Sequence, residues 1–225
     1  MGKGSGDELA VEGISLAYTD GERTTYALRE VTAVLPPGKF YGIMGPSGSG
    51  KSSLLYVLSG LKPPTEGVAR FGSFVYQQRN AKEVATLRRT RFGFVFQQPF
   101  LLPYLTALEN VVTSAPKPDR LARDKAVALL TEMGLGGMEN KLPSQLSGGE
   151  RQRVSVVRAM MNDPDIIFAD EPTAALDHKN GHHVVDSLAK WRERGTIVVV
   201  THDPEMVRDA DEVIFLRDGF VAEIK

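Results

Sequence analysis

At 225 residues the chain is long enough for one large domain with a sizeable core. Its 27 Lys and Arg against 28 Asp and Glu give a formal net charge of -1, without the basic excess of nucleic-acid binders, and the absence of cysteine removes disulfides, thiolate metal sites and cysteine nucleophiles. No apolar run approaches bilayer-spanning length and the amino terminus lacks an apolar signal region, so the chain alone is expected to be soluble, in a reducing compartment.

Residues 1–6 read as a flexible leader, with Gly6 standing where a myristoylation signal needs Ser or Thr. Up to Gly45 the pattern is β: residues 9–18, 28–35 and 40–44, separated by turns at Asp20-Gly21 and Pro36-Pro37-Gly38. The next eight residues, Gly45, Pro46, Ser47, Gly48, Ser49, Gly50, Lys51 and Ser52, fit G-x-x-x-x-G-K-[ST] and run into a helical pattern from Ser53 to Leu58. Strand, glycine loop and helix in this order make a phosphate cradle. Glycines let successive backbone N–H groups turn around an anion, the helix adds its positive end, Lys51 supplies a mobile charge and the Ser52 hydroxyl can ligate Mg²⁺. A nucleoside triphosphate is the expected ligand.

The first helix stops at Gly60, with Pro63-Pro64 beyond it. Short strands continue from Val68 to Val75, and another ends at residues 92–96. From Gln98 to about Met161 the character is helical: Asp119 caps a helix whose Leu121, Ala122, Ala126, Leu129, Leu130 and Met133 share a face, and Gly134 closes it. The apolar run from Phe100 to Leu105 serves either the core of this helical part or a groove for a partner's helix. Two buried-type strands, residues 166–169 and 196–200, flank a helix over 184–194 that Gly195 ends, and a last hairpin turns at Asp218-Gly219. His178 and His182 have i, i+4 spacing, but Gly181 and the lack of a companion ligand argue against a metal site, and Trp191 reads as packing.

Two further segments carry chemistry. The strand ending Phe168-Ala169-Asp170-Glu171 is expected beside the cradle strand, delivering Asp170 to Mg²⁺ and Glu171 to the water that attacks the γ-phosphate, as general base. A plain acidic turn is the alternative. In Leu146-Ser147-Gly148-Gly149-Glu150, Ser147 and Glu150 have capping-box spacing, which explains them but not the glycines, each costing up to about 1 kcal/mol at a helical position. Bare backbone at a helix start suits the close approach of an anion. Because the chain's own nucleotide already has a cradle, this second phosphate-reading end suggests a nucleotide shared across a dimer.

These motifs, in this order and over essentially the whole chain, resemble the ATP-binding-cassette (ABC) family, with residues 146–150 similar to its signature motif. The resemblance implies an α/β fold: a P-loop NTPase (RecA-like) core with an N-terminal antiparallel β subdomain and an inserted α-helical subdomain. It implies one domain over 1–225, the core at about 7–97 and 162–225 and the helical part at about 98–161. It also assigns roles. Gln97, with Gln98 as the alternative, would contact Mg²⁺ and water and link the core to a membrane partner; Asp177 would lie at the dimer interface; His202 would touch the γ-phosphate. Tyr18 would stack on adenine, unless it only packs at a strand end.

Residues 86–97, 105–111 and 176–181 are similar to the branch of lipoprotein-release and macrolide-export ATPases. The departures are small: Ser53 stands where Thr is frequent, and the chain ends soon after its last strand, implying no regulatory tail. The resemblance thus implies an ATPase using ATP and Mg²⁺, a homodimer when ATP is bound, and an integral membrane permease as partner, with a periplasmic adaptor as a further one. It would sit peripherally on the cytoplasmic face of the membrane, without nucleic acid. A cell-division type of mechanotransmission ATPase is the alternative. A cassette acting on ribosomes or DNA would need two cassettes, a long coiled-coil insertion or a basic face, and a non-catalytic regulator would not need Glu171 and His202. The cargo is not legible.

Overall fold

A computed structural model describes residues 6–21, 23–174, 176 and 178–225; residues 1–5 of the expected leader lie outside them. Two sheets organise it. In the first, β1 (Leu9–Asp20) and β2 (Arg23–Leu35) form an antiparallel hairpin, and β4 (Glu66–Phe71) with β5 (Phe74–Val75) extend it in the order β2-β1-β4-β5. The second has six strands in the order β10-β9-β3-β8-β7-β6. Its members are β3 (Phe40–Met44), β6 (Phe92–Val95), β7 (Ile166–Asp170), β8 (Thr196–Val200), β9 (Glu212–Arg217) and β10 (Phe220–Ile224). The pairings between β6, β7, β8, β3 and β9 are parallel, and β10 closes one edge as an antiparallel hairpin partner of β9. Every residue of β7 and β8 is buried, as continuous apolar runs require in a sheet covered on both faces.

Helix α1 (Lys51–Leu58) lies between the two sheets, where Leu54, Leu55 and Leu58 pack with Leu28, Ile214 and Phe168. Truncating any of these leucines to Ala costs about 2 to 5 kcal/mol, from lost burial and the cavity left behind. A second core lies on the other side, around α5 (Gly148–Met160). Val154 and Val157 meet Val111 of α3 (Ala107–Val112), Leu130 of α4 (Arg120–Glu132) and Leu188 of α6 (His178–Lys190) there. Among the described residues no helix is long and apolar enough to cross a membrane.

Four expectations change. The cradle strand β3 does not lie beside β7: β8, which comes later in the chain, pairs with both and separates them. An unpredicted helix, α2 (Ala81–Arg91), precedes β6; only Leu87 of it is buried, so it shows no apolar period. Leu121 does not join the buried face of α4 but stands 78% exposed in the first turn, while Ala126, Leu129 and Leu130 turn inward. Finally, the helix expected over 184–194 begins at His178 and gives way to a 3₁₀ turn, Trp191–Glu193, with Trp191 buried in the second core.

Candidate nucleotide-binding site

The loop from Gly45 to Gly50 joins β3 to α1 and is braced on both sides. Gly45 (φ 146°) and Gly50 (φ 101°) occupy backbone conformations closed to most side chains. A Cβ on Gly45 would overlap the Leu216 carbonyl oxygen of β9, and one on Gly50 the Ala27 carbonyl oxygen of β2. The β9–β10 turn adds a tether: Gly219 N–H donates to Ser49 O at 3.2 Å, while Arg29 N–H donates to Gly219 O at 2.9 Å.

Three observations fit this loop to a polyphosphate. Helices α2, α3, α4 and α5 each begin on a capping side chain, Asn80, Thr106, Asp119 and Ser147, whereas α1 begins on Gly50, which makes no side-chain cap. The first N–H groups of α1 therefore remain for an anion. Ser49 Oγ is buried without a hydrogen-bond partner. Lys51 folds its ammonium back over the loop, donating to Gly45 O at 2.9 Å and Pro46 O at 3.1 Å. Pro46, Ser47 and Gly48 form the rim, and Ser53 continues α1.

Asp170 ends β7 and is 8% exposed. Although β8 intervenes, α1 crosses the sheet face and meets it: Ser52 Oγ donates to Asp170 Oδ1 at 2.9 Å, and Tyr56 Oη donates to Oδ2 at 3.0 Å. Burial, followed by the charge of Asp170, pushes the Tyr56 phenol up to about 12, so it stays protonated and donating at neutral pH. A hydroxyl and a carboxylate side by side at the cradle suit a hard divalent cation such as Mg²⁺, which keeps several waters and takes few protein oxygens.

Glu171 follows Asp170 with a left-handed backbone (φ 46°), a conformation that costs a non-glycine residue about 1 kcal/mol or more. Its N–H donates to Val200 O at 2.9 Å, which turns the carboxylate toward His202, just beyond β8. His202 Nδ1 lies 3.0 Å from both Oε1 and Oε2. The parallel register pairs Asp170 with Val200 and Val95 with Ala169, so Gln97, two residues past Val95, stands level with this pair. Gln97 and Gln98 are both exposed.

Other expected residues lie further out. Tyr18, near the end of β1, is exposed, with the Lys62 ammonium 3.6 Å from its ring centroid. Ser147 caps α5, accepting from Glu150 N–H at 3.2 Å, and the Glu150 carboxylate accepts from Ser147 N–H at 2.6 Å. These side-chain bonds stay within the cap, and Gly148 and Gly149 follow as the first helical residues. The structure thus joins Ser52 with Asp170 and Glu171 with His202, with the Lys51 ammonium on the loop carbonyls, and among the described residues no hydrogen bond links the Ser147 cap to either pair. Asp177 and the side chains of His178 and His182 lie outside the described residues.

Sequence reasoning passed over two anchors of the chain on either side of Gln97. Gln152 Nε2 donates to Phe96 O at 2.9 Å, and Arg158 donates to Pro99 O at 2.7 Å and Phe100 O at 2.8 Å. Burial lowers the pKa of the Arg158 guanidinium from its ordinary value. Both project from α5, and as polar residues of an amphipathic helix they gave no local signal. Nearby, a groove of about 1310 Å³ is lined by Arg88, Arg89, Phe94, Phe96, Lys117 and Leu121, among others.

Residues 28–174 match the family model described as ABC transporter. Over 221 residues the chain is 42% identical to the macrolide export ATP-binding/permease protein MacB of Rhodopseudomonas palustris (strain HaA2), covering 96% of this chain and 34% of that relative. It spans about a third of the length of the MacB relatives it matches. Over 211 residues it is 44% identical to an uncharacterized ABC transporter ATP-binding protein of Methanocaldococcus jannaschii, covering 92% of this chain and 94% of that one. Among solved structures, the dimeric post-hydrolysis state of the ATP-binding cassette MJ0796 bound to ADP and Pi has a TM-score of 0.89 at 38% identity, over 96% of this chain and 97% of that one. The antiparallel β sheet, the mixed second sheet and its helices are those of an ABC cassette, and the chain belongs to the ABC transporter family as an ATP-binding cassette and ATPase.

Proposed function

We propose that this cassette hydrolyses ATP with Mg²⁺ at the interface of a homodimer and drives an integral membrane permease, as an exporter of the lipoprotein-release or macrolide-export type. The observation that carries the reading is the gathering, along one edge of the second sheet, of a braced phosphate loop, the Ser52–Asp170 pair and the Glu171–His202 pair.

In this reading the triphosphate enters the loop of residues 45–50 and takes the N–H groups at the start of α1. Lys51 leaves Gly45 O and Pro46 O for the phosphate oxygens, and Tyr18 exchanges the Lys62 ammonium for the adenine ring. Mg²⁺, when bound, supplies charge neutralisation of the phosphates, and Ser52 and Asp170, with Gln97, are the residues that would hold it. Glu171 accepts the proton of the attacking water, and His202 holds the Glu171 carboxylate and then the γ-phosphate. Ser147, Gly148, Gly149 and Glu150 of the second copy close over the nucleotide, with Asp177 at the seam. That the described hydrogen bonds of the Ser147 cap stay within it and do not reach the cradle of its own chain supports this division between two copies, and the MJ0796 cassette is itself described as dimeric. Residues 1–225 act as one unit, with the helices between β6 and β7 moving against the nucleotide core.

The groove between Arg89 and Leu121 supports a membrane partner, because it offers apolar and basic surface to an inserted helix beside the segment after Gln97. The MacB relatives carry an ATP-binding part and a permease in one chain, which agrees with that assignment. The test is reconstitution with the permease that co-purifies in detergent: ATP turnover is expected to rise in the complex and ATP to drive export across vesicles. A complex that hydrolyses ATP and moves no substrate would favour the cell-division type of mechanical driver. A cassette that stays monomeric with saturating MgATP would remove the homodimer.

A further inference from the structure

Among the described side chains bonded to the Asp170 carboxylate, Tyr56 is the one to which the sequence assigns no part. It stands one turn after Ser52 on α1, so the two share a face, and they divide the carboxylate between them, Ser52 on Oδ1 at 2.9 Å and Tyr56 on Oδ2 at 3.0 Å. One hydrogen bond would leave the carboxylate free to turn about its last torsion. Two donors from a single helix, one to each oxygen, fix its plane and tie the end of β7 to α1. Asp170 is 8% exposed, so little water competes, and a charge-assisted bond there is stronger than a neutral one. An aliphatic residue at this place on the helix would fill the same space; the hydroxyl is what packing alone does not require.

We propose that Tyr56 is a positioning residue for the divalent cation of the nucleotide: by holding Oδ2 it presents Asp170 to the hydrated metal in one orientation. The proposal rests on the reading of Ser52 and Asp170 as the metal side of the site. Residues that orient metal-binding carboxylates typically change metal affinity 10- to 100-fold when removed. The lower end applies here, since Ser52 continues to hold Oδ1.

The experiment titrates Mn²⁺ into the full chain with saturating ADP and follows free Mn²⁺ by electron paramagnetic resonance, for the parent, Tyr56→Phe, Asp170→Ala and the double variant. Tyr56→Phe is expected to weaken Mn²⁺ binding about 5- to 10-fold and to alter the bound-Mn²⁺ spectrum, with ADP affinity in EDTA unchanged and the nucleotide-free melting midpoint lowered only by the few degrees that one lost hydrogen bond costs. In the Asp170→Ala background the same change is expected to do nothing more. Parental Mn²⁺ affinity in Tyr56→Phe overturns the proposal. So does an equal loss of Mn²⁺ and metal-free ADP binding, or a collapse of the nucleotide-free midpoint, since either makes Tyr56 a structural tether. Unchanged Mn²⁺ binding in Asp170→Ala would instead overturn the underlying reading of Asp170.

Discussion

Glu171 and His202 are 31 positions apart in the chain, yet the imidazole Nδ1 sits 3.0 Å from both oxygens of the carboxylate. The strands that end beside them, β7 and β8, are neighbours in parallel register, and the left-handed backbone of Glu171 completes the approach. Each side chain therefore orients the other. Glu171→Gln is expected to keep ATP binding, lower steady-state phosphate release by about 10²- to 10⁴-fold, and accumulate a dimer in MgATP that size-exclusion chromatography resolves. His202→Ala added to it is expected to cost little more, because groups that act as a unit are not additive. Parental turnover in Glu171→Gln would remove it as general base.

Two glycines of the cradle separate folding from ligand capture. Gly45→Ala forces a Cβ onto the Leu216 carbonyl, so little folded protein is expected. At Gly48 (φ 78°) a Cβ would meet nothing within 4 Å, so Gly48→Ala is expected to lower stability by only about 1 to 2 kcal/mol, from backbone strain. It nevertheless places a methyl at the rim. Thermal melting and nucleotide titration check both: a stable Gly48→Ala with weakened ATP binding is the expected pairing. Lys51→Ala is expected to lower triphosphate affinity at least about 100-fold by removing a charge-assisted contact.

Asn110 is 0% exposed and serves four backbone groups, accepting from Leu102 N–H at 2.7 Å and donating to the carbonyls of Leu102, Leu105 and Thr106. Asn110→Ala removes the partner of the Leu102 N–H and of the Leu105 carbonyl, while Leu102 O keeps the Leu105 N–H and Thr106 O keeps the residue-110 N–H, and a loss of about 1 to 3 kcal/mol is expected in urea unfolding. Because none of the described hydrogen bonds of Asn110 to the loop from Leu102 to Thr106 involves residues 45–52, ATP affinity is expected to stay parental. A fall in ATP affinity comparable to the fall in stability would show that this loop bears on the nucleotide.

Acid is expected to act through the helix caps. The carboxyls of Glu109 and Glu150 are held below their ordinary range, chiefly by the N–H groups of Thr106 and Ser147. A depressed folded value stabilises the protein above the unfolded value, about 4.3, and that contribution is lost as pH falls through the folded value. The Glu109→Gln, Glu150→Gln pair is therefore expected to melt slightly below the parent at pH 7, with the gap closing below about pH 4. Melting curves across this range check the sign; a gap that widens in acid contradicts it.

What the sequence made legible was local. The order of strand, glycine loop and helix, the carboxylates at the end of an apolar strand and the capping-box spacing at Ser147 and Glu150 are set by neighbouring residues, and each lies where the pattern placed it. The order of strands was not legible, because β8 enters between β3 and β7 from later in the chain and no local signal records that choice. Helix α2 escaped because one buried leucine makes no period, although Asn80 and Glu83 form a capping box that marked its start. Tyr56, Gln152 and Arg158 escaped for a related reason: their partners, Asp170, Phe96 O and the carbonyls of Pro99 and Phe100, are brought to them only by tertiary packing.

The bracing of the phosphate loop by β2, β9 and the Asp218-Gly219 turn has a thermodynamic corollary. A receptor whose backbone is already in place gives up little disorder when fuel arrives, so capture should be a docking event with a small heat-capacity change, unlike a coupled folding reaction. It also makes the far carboxyl-terminal hairpin a remote adjuster. A change at Gly219, whose N–H holds Ser49 O, would be felt as weaker fuel capture.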